Sequence, residues 1–144
     1  MTQTGIAVLD GAAGVTSAWL NELEQLSHLD DRHQAYRLLR ATLHALRDWL
    51  NADEAADLGA QLPILIRGLY YEGWNPSATP VHPRTKDDFL QAIQSALAAD
   101  PMRSPEHGVR AVFSLLNRHI SAGQVEQMRN ALQKPLRDLW PQPA

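Results

Sequence analysis

Leu62-Pro63-Ile64-Leu65-Ile66-Arg67-Gly68-Leu69-Tyr70-Tyr71-Glu72-Gly73-Trp74 is the most apolar run of the chain, and its reading decides the fold. Three of the nine aromatic residues, Tyr70, Tyr71 and Trp74, fall within its last five positions. Pro63 restarts the chain where a missing amide proton costs a helix nothing. The run therefore reads as a helix from Pro63 to about Tyr71, released at Gly73. A Gly-Trp-Asn-Pro exit then leads into residues 73–86, which hold Pro76, Pro80 and Pro83 and show no period. At about 14 residues this is longer than most connections inside a compact domain, so it is a functional loop or a linker.

Upstream, residues 1 to about 15 contain glycines but little period, consistent with a short strand or a packed arm that frays at its extreme end. A helical pattern begins at Thr16, with Trp19, Leu20, Leu23 and Leu26 on one face. His28-Leu29-Asp30-Asp31 breaks it, and Asp30 or Asp31 can cap the next helix. That helix is the longest, with Tyr36, Leu39, Leu43, Leu46 and Leu50 as its apolar stripe and Arg37, Arg40, His44, Arg47 and Asp48 on its flanks. Asn51-Ala52-Asp53-Glu54 resembles a capping box, in which the Asn side chain serves an orphan amide and Glu54 reaches back. A shorter helix then carries Ala55, Leu58 and Leu62.

Downstream, Thr85 caps a helix with Phe89, Leu90, Ile93 and Leu97 inward, and Asp100-Pro101 ends it. Ser104-Pro105 opens another, bearing Val109, Val112, Phe113, Leu116 and Ile120. Ser121 and Gln124 form a second capping box, followed by Val125, Met128 and Leu132, then Leu136, Leu139 and Trp140. A shift of 70 residues superimposes the two parts without a gap: Trp19 falls on Phe89, Leu43 on Phe113, Asn51 on Ser121, Glu54 on Gln124, Arg67 on Arg137 and Tyr70 on Trp140. Two capping boxes and two Arg-x-Leu-aromatic endings at one offset are harder to ascribe to chance than aligned leucines. The fold expected is all-α, a compact helical bundle of two similar multi-helix halves with about eight helices. In this reading residues 1–144 form one domain, made of a first repeat (16–72), a connecting loop (73–86) and a second repeat (87–141).

Ala35-Tyr36-Arg37, Leu43-His44-Ala45-Leu46-Arg47-Asp48, Gln61-Leu62-Pro63, Arg67 through Trp74, Ala111-Val112-Phe113 and His119-Ile120-Ser121-Ala122-Gly123 carry a resemblance. Together they resemble the bacterial family catalogued as domain of unknown function 2267, from about Thr16 to Pro141. The resemblance implies a helical fold and a bacterial source. That family has no established activity, so no catalytic residue is carried over from it. The two halves differ where Gln61-Leu62-Pro63 meets Ala131-Leu132-Gln133, and only the leucine is kept.

With 144 residues, 44% hydrophobic and 20% charged, the chain has the composition of a soluble globular protein. A formal charge of −3, with basic and acidic residues interspersed, argues against nucleic acid, whose binders need a basic stripe. With no cysteine, disulfides, thiolate metal sites and thiol nucleophiles are excluded. The first Arg or Lys is Arg32 and no apolar run nears the length that spans a bilayer, so a cytoplasmic protein with no membrane contact is expected. None of the six histidines forms an i, i+4 pair, no Glu-x-x-His motif exists, and no glycine fingerprint cradles a phosphate. His44 with Asp48 one turn on reads as a solvated pair, and the paired carboxylates fall at helix starts where the macrodipole favours them. The sequence thus offers no catalytic residue, no metal site and no cofactor.

What remains is Arg67, Tyr71, Glu72 and Trp74, with Arg137 as the counterpart of Arg67. On a helix Tyr71 projects about 100° from Tyr70, so Tyr70 reads as core and Tyr71 as a side or surface group. Tyr and Trp suit interfaces, whether against the loop or against a partner. The arginines are expected to pair with carboxylates such as Glu72 or Asp138, or to cover neighbouring helix ends. The functional expectation is a non-enzymatic protein-interaction or adaptor module docking an unidentified protein through Tyr71 and Trp74, oriented by Arg67 and Glu72. The alternative is a pocket for an anionic small molecule between the halves near Arg67, Tyr70 and Arg137.

Overall fold

A computed structural model describes residues 4–81 and 85–142. The described residues are helical throughout, with no strand: α1 (Ala7–Asp10), α2 (Ala12–Ser27), α3 (Arg32–Trp49), α4 (Ala52–Ala60), α5 (Ile64–Tyr71), a 3-10 turn (Pro76–Ala78), α6 (Lys86–Ala96), α7 (Pro105–His119), α8 (Ala122–Ala131) and α9 (Lys134–Arg137). The all-α expectation holds. Side-chain caps set several starts: Asp31 accepts from the amides of His33 and Gln34, Asn51 from Glu54, Thr85 from Asp88 and Ser121 from Gln124. Pro63 stands one residue before α5, and Ser104 precedes Pro105 without a side-chain cap bond.

Three local readings are corrected. From Ala7 to Val15 the chain is neither a strand nor a packed arm but helical, with α1 left unburied: α1 is followed by α2 after Gly11, whose N–H bonds the carbonyl of Ala7 and whose carbonyl accepts from Val15. Glu54 does not reach back to its own cap, because its carboxylate accepts from Gln127 Nε2 on α8 at 3.1 and 3.2 Å. Gln124 makes no return bond either; the amide of Ser121 is served by Gln61 Oε1 at 3.2 Å. Each box keeps its forward half and gives its backward half to the other side of the molecule. His82 and Pro83, part of the loop read as 73–86, lie outside the described residues.

The two halves are cross-packed. Trp19 stacks on His119 with ring centroids 4.4 Å apart, and His28 on His107 at 5.5 Å, so α2 runs antiparallel along α7. Likewise Trp49 meets Phe89 edge-on at 5.3 Å, and Gln34 and Arg37 reach Asp100, so α6 runs antiparallel along α3. The first long helix of each half therefore lies against the longest helix of the other. Between them Leu23, Leu38, Leu43, Leu46, Phe89, Val112, Phe113, Leu116 and Trp140 form one buried cluster. Gly108 lets α7 approach α3, since a Cβ there would stand 3.0 Å from Leu38 Cδ1.

Candidate functional site

Helix α5 is apolar on more than one side, so it has two faces to satisfy. Ile66 and Tyr70, one turn apart, point inward and are buried, and the Tyr70 hydroxyl donates to the carbonyl of Ala55 at 2.7 Å. Burial pushes this phenol far above its ordinary pKa, so it remains a donor. Ile64 and Leu65 point the other way and stay 48% and 50% exposed, although they belong to the most apolar run of the chain. With Gly68, Leu69, Tyr36 and Leu39 of α3 and Thr16 and Leu20 of α2 they line an open groove of about 460 Å³. Tyr36, read from the sequence as core, is 40% exposed at its rim.

The groove wall also includes Glu72, whose carboxylate accepts from Arg40 Nε and Nη2 at 2.9 and 2.6 Å. The Arg40 guanidinium holds the Glu72 carboxyl below the usual carboxylate range. The sequence reading offered Arg67 as a partner for Glu72; the structure gives it Arg40, from the flank of α3.

Behind this pair α3 grips the C-terminal end of α5, where helix carbonyls lack partners of their own. Arg47 is 4% exposed and donates through Nη1 to the carbonyls of Tyr70 and Glu72 at 2.9 and 2.8 Å. Its Nε donates to the Asp48 carboxylate at 2.8 Å. His44 Nε2 lies 2.8 Å from the carbonyl of Leu69, which fixes a proton on that nitrogen in the neutral ring. Burial depresses the His44 pKa, with Arg47 and Arg40 adding to the effect against the raising influence of the Leu69 carbonyl. His44 and Asp48 are therefore not a solvated pair, and Arg47 is no surface flank. No sequence signal marked Arg47 apart from the arginines beside it, except its place on the edge of the stripe formed by Leu43, Leu46 and Leu50.

The remaining sequence-read residues lie behind α5 or at helix ends. Tyr71 lies over Gly59 of α4, with its hydroxyl 3.4 Å from the carbonyl of Ala56, and Trp74 tilts against it with ring centroids 5.4 Å apart. Both are half-buried. Arg67 donates to the carbonyls of Leu62 and Ala60, and Arg137 to that of Leu132, each covering the end of the helix before its own. Glu72 and Asp138 are not their partners: the backbone carbonyl of Asp138 accepts from Arg110 instead. A cleft of about 150 Å³ between the halves is lined by Trp49, Asn51, Pro80, Ala131, Gln133 and Leu136, with neither arginine in its wall.

Among the described residues no group of three potential ligands could hold a metal ion, and no helix is long and apolar enough to cross a membrane. Residues 16–139 match the family model described as Uncharacterized conserved protein (DUF2267). The chain belongs to this family. The DUF2267 span covers every residue lining the groove and leaves α1 outside it. No curated protein matches the sequence.

Proposed function

We propose that the chain is a non-enzymatic protein-docking module, and that its groove between α2, α3 and α5 takes the apolar face of a helix from a protein partner. The observation carrying this reading is the set of three large apolar side chains, Tyr36, Ile64 and Leu65, left 40–50% exposed around one concave surface. Apolar surface grouped in this way marks interaction sites, and a groove between helices fits a helix better than a flat epitope. The charged group in the groove wall is Glu72, and its pairing with Arg40 suits it to orienting a partner rather than to moving protons. Tyr71 and Trp74 serve the same surface from behind by holding α5 on α4.

We further infer that the module is a tandem pair of one helical unit. The reading is supported by equivalences at the offset of 70. Helices begin at Ala52 and Ala122 and again at Ile64 and Lys134, and Arg67 and Arg137 bond the carbonyls of Leu62 and Leu132. Asn117, the counterpart of Arg47, ties down the counterpart of the α5 end through Trp140 Nε1 at 2.8 Å and the carbonyl of Pro141 at 2.9 Å.

A photo-crosslinking amino acid at Leu65 tests the docking reading in living cells, with the same group at exposed Glu126 as the control. An adduct of discrete protein mass at Leu65 and none at Glu126 is the expected result. Equal or absent labelling at the two positions would end it.

A further inference from the structure

We propose that the occupant of the groove is the N-terminal arm, Ile6 to Asp10, of a second copy of this chain, exchanged so that each copy gives one arm and receives one. This rests on the reading of the groove as a docking site. The apolar side chains of the arm are uncovered in the single chain: α1 buries none of its residues, and Ile6, Val8 and Leu9 are 52%, 71% and 40% exposed. From Thr4 to Asn21 the chain carries one charge, Asp10. A helix apolar on both sides is normally covered on both.

The arm does not fill its own groove. α1 is joined to α2 by the single residue Gly11, and none of its residues lines the groove, one wall of which Thr16 and Leu20 of α2 form. A second copy in the opposite sense lays its own arm along that wall.

Area favours a second copy over a partner that fills only the groove. A Val, Leu or Ile side chain carries on the order of 100 Å² of apolar surface, and a Tyr about 200 Å². Among the described residues, the seven exposed large apolar ones, Ile6, Val8, Leu9, Val15, Tyr36, Ile64 and Leu65, thus present roughly 400 Å² per copy. A stable interface buries about 800 Å² per partner, of which some six-tenths is apolar. Reciprocal exchange brings both sets together under one two-fold axis, the commonest closed symmetry.

Analytical ultracentrifugation of the full chain across the micromolar range tests the pairing. The expected mass is twice the 16.0 kDa of one chain. Leu9→Glu and Leu65→Glu, both at exposed positions and checked for an unchanged circular dichroism spectrum, should each weaken the dimer by about 100-fold or more. An equimolar mixture of the two variants should recover dimer, because the intact arm of one enters the intact groove of the other. A monomeric wild type, variants that dimerise like wild type, or a mixture no better than either variant alone would each overturn arm exchange. A monomeric wild type whose Leu65 crosslinks a different protein would end self-pairing and leave the docking reading standing.

Discussion

Replacing Arg47 with methionine keeps most of the buried stem and deletes the guanidinium that holds the end of α5 to α3. Three groups lose their partner at once: the carbonyls of Tyr70 and Glu72, at 2.9 and 2.8 Å, and the carboxylate of Asp48, at 2.8 Å. Hydrogen bonds to a charged group contribute about 1.5–3 kcal/mol each, and orphaning a buried partner costs more than the bond itself contributes. Asp48 keeps about a third of its side chain in contact with water, so it recovers most of its loss. The two carbonyls set the figure, a destabilisation of roughly 3–5 kcal/mol. That is a large share of the 5–15 kcal/mol typical of a domain. Urea unfolding at fixed protein concentration reads it: with a slope near 2 kcal/mol/M, the midpoint should fall by about 1.5–2.5 M. Arg67→Met is the control, because Arg67 serves carbonyls from an exposed position and should cost about 1 kcal/mol or less. If Arg47→Met costs no more than Arg67→Met, Arg47 is not what fastens α5.

In the same segment, Gly59→Ala should destabilise by about 1–3 kcal/mol, although Gly to Ala inside a helix usually stabilises. The new Cβ would lie 2.2 Å from the Tyr71 hydroxyl oxygen and 2.5 Å from Cζ, so the ring must leave its seat. In a Tyr71→Ala background the same change should be neutral or favourable, and thermal melts of the four proteins check the cycle. His44 has a folded-state pKa below its ordinary 6.5, so the folded protein binds fewer protons there than the unfolded chain. Its contribution is whole above about pH 6.5 and is lost as the pH falls through the lower folded value. The stability advantage of wild type over His44→Gln should therefore shrink between about pH 7.5 and 5; a gap independent of pH would refute it.

Caps and prolines are local chemistry, which is why the helices were legible in the sequence. Asp31, Asn51, Thr85 and Ser121 lie within three residues of the amides they serve, so a linear reading finds them. Burial is not local, and there the sequence misleads in both directions. Arg47 and Arg40 look alike on the flank of α3, yet one sits under the end of α5 and the other at the rim of the groove. Ile64 and Leu65 look more buried than Tyr70, but only the inward side of α5 meets the core. Apolarity says that a side chain avoids water, not that this chain provides the cover. Glu54 escapes a linear reading for a related reason: its better partner, Gln127, is 73 positions away.

The crossing of α2 onto α7 and of α6 onto α3 has a consequence for how the molecule comes apart. A cut between Gly73 and Val81 would leave each fragment with its longest helix stripped of the neighbour that covers it. Each fragment would expose the face the other now covers, and α8 in the second would start without the Gln61 side chain that serves its Ser121 amide. The loop joins two stretches of sequence without separating two units of stability. Unfolding should thus be a single event for the whole chain, and the severed pieces, mixed together, should find each other and refold as one.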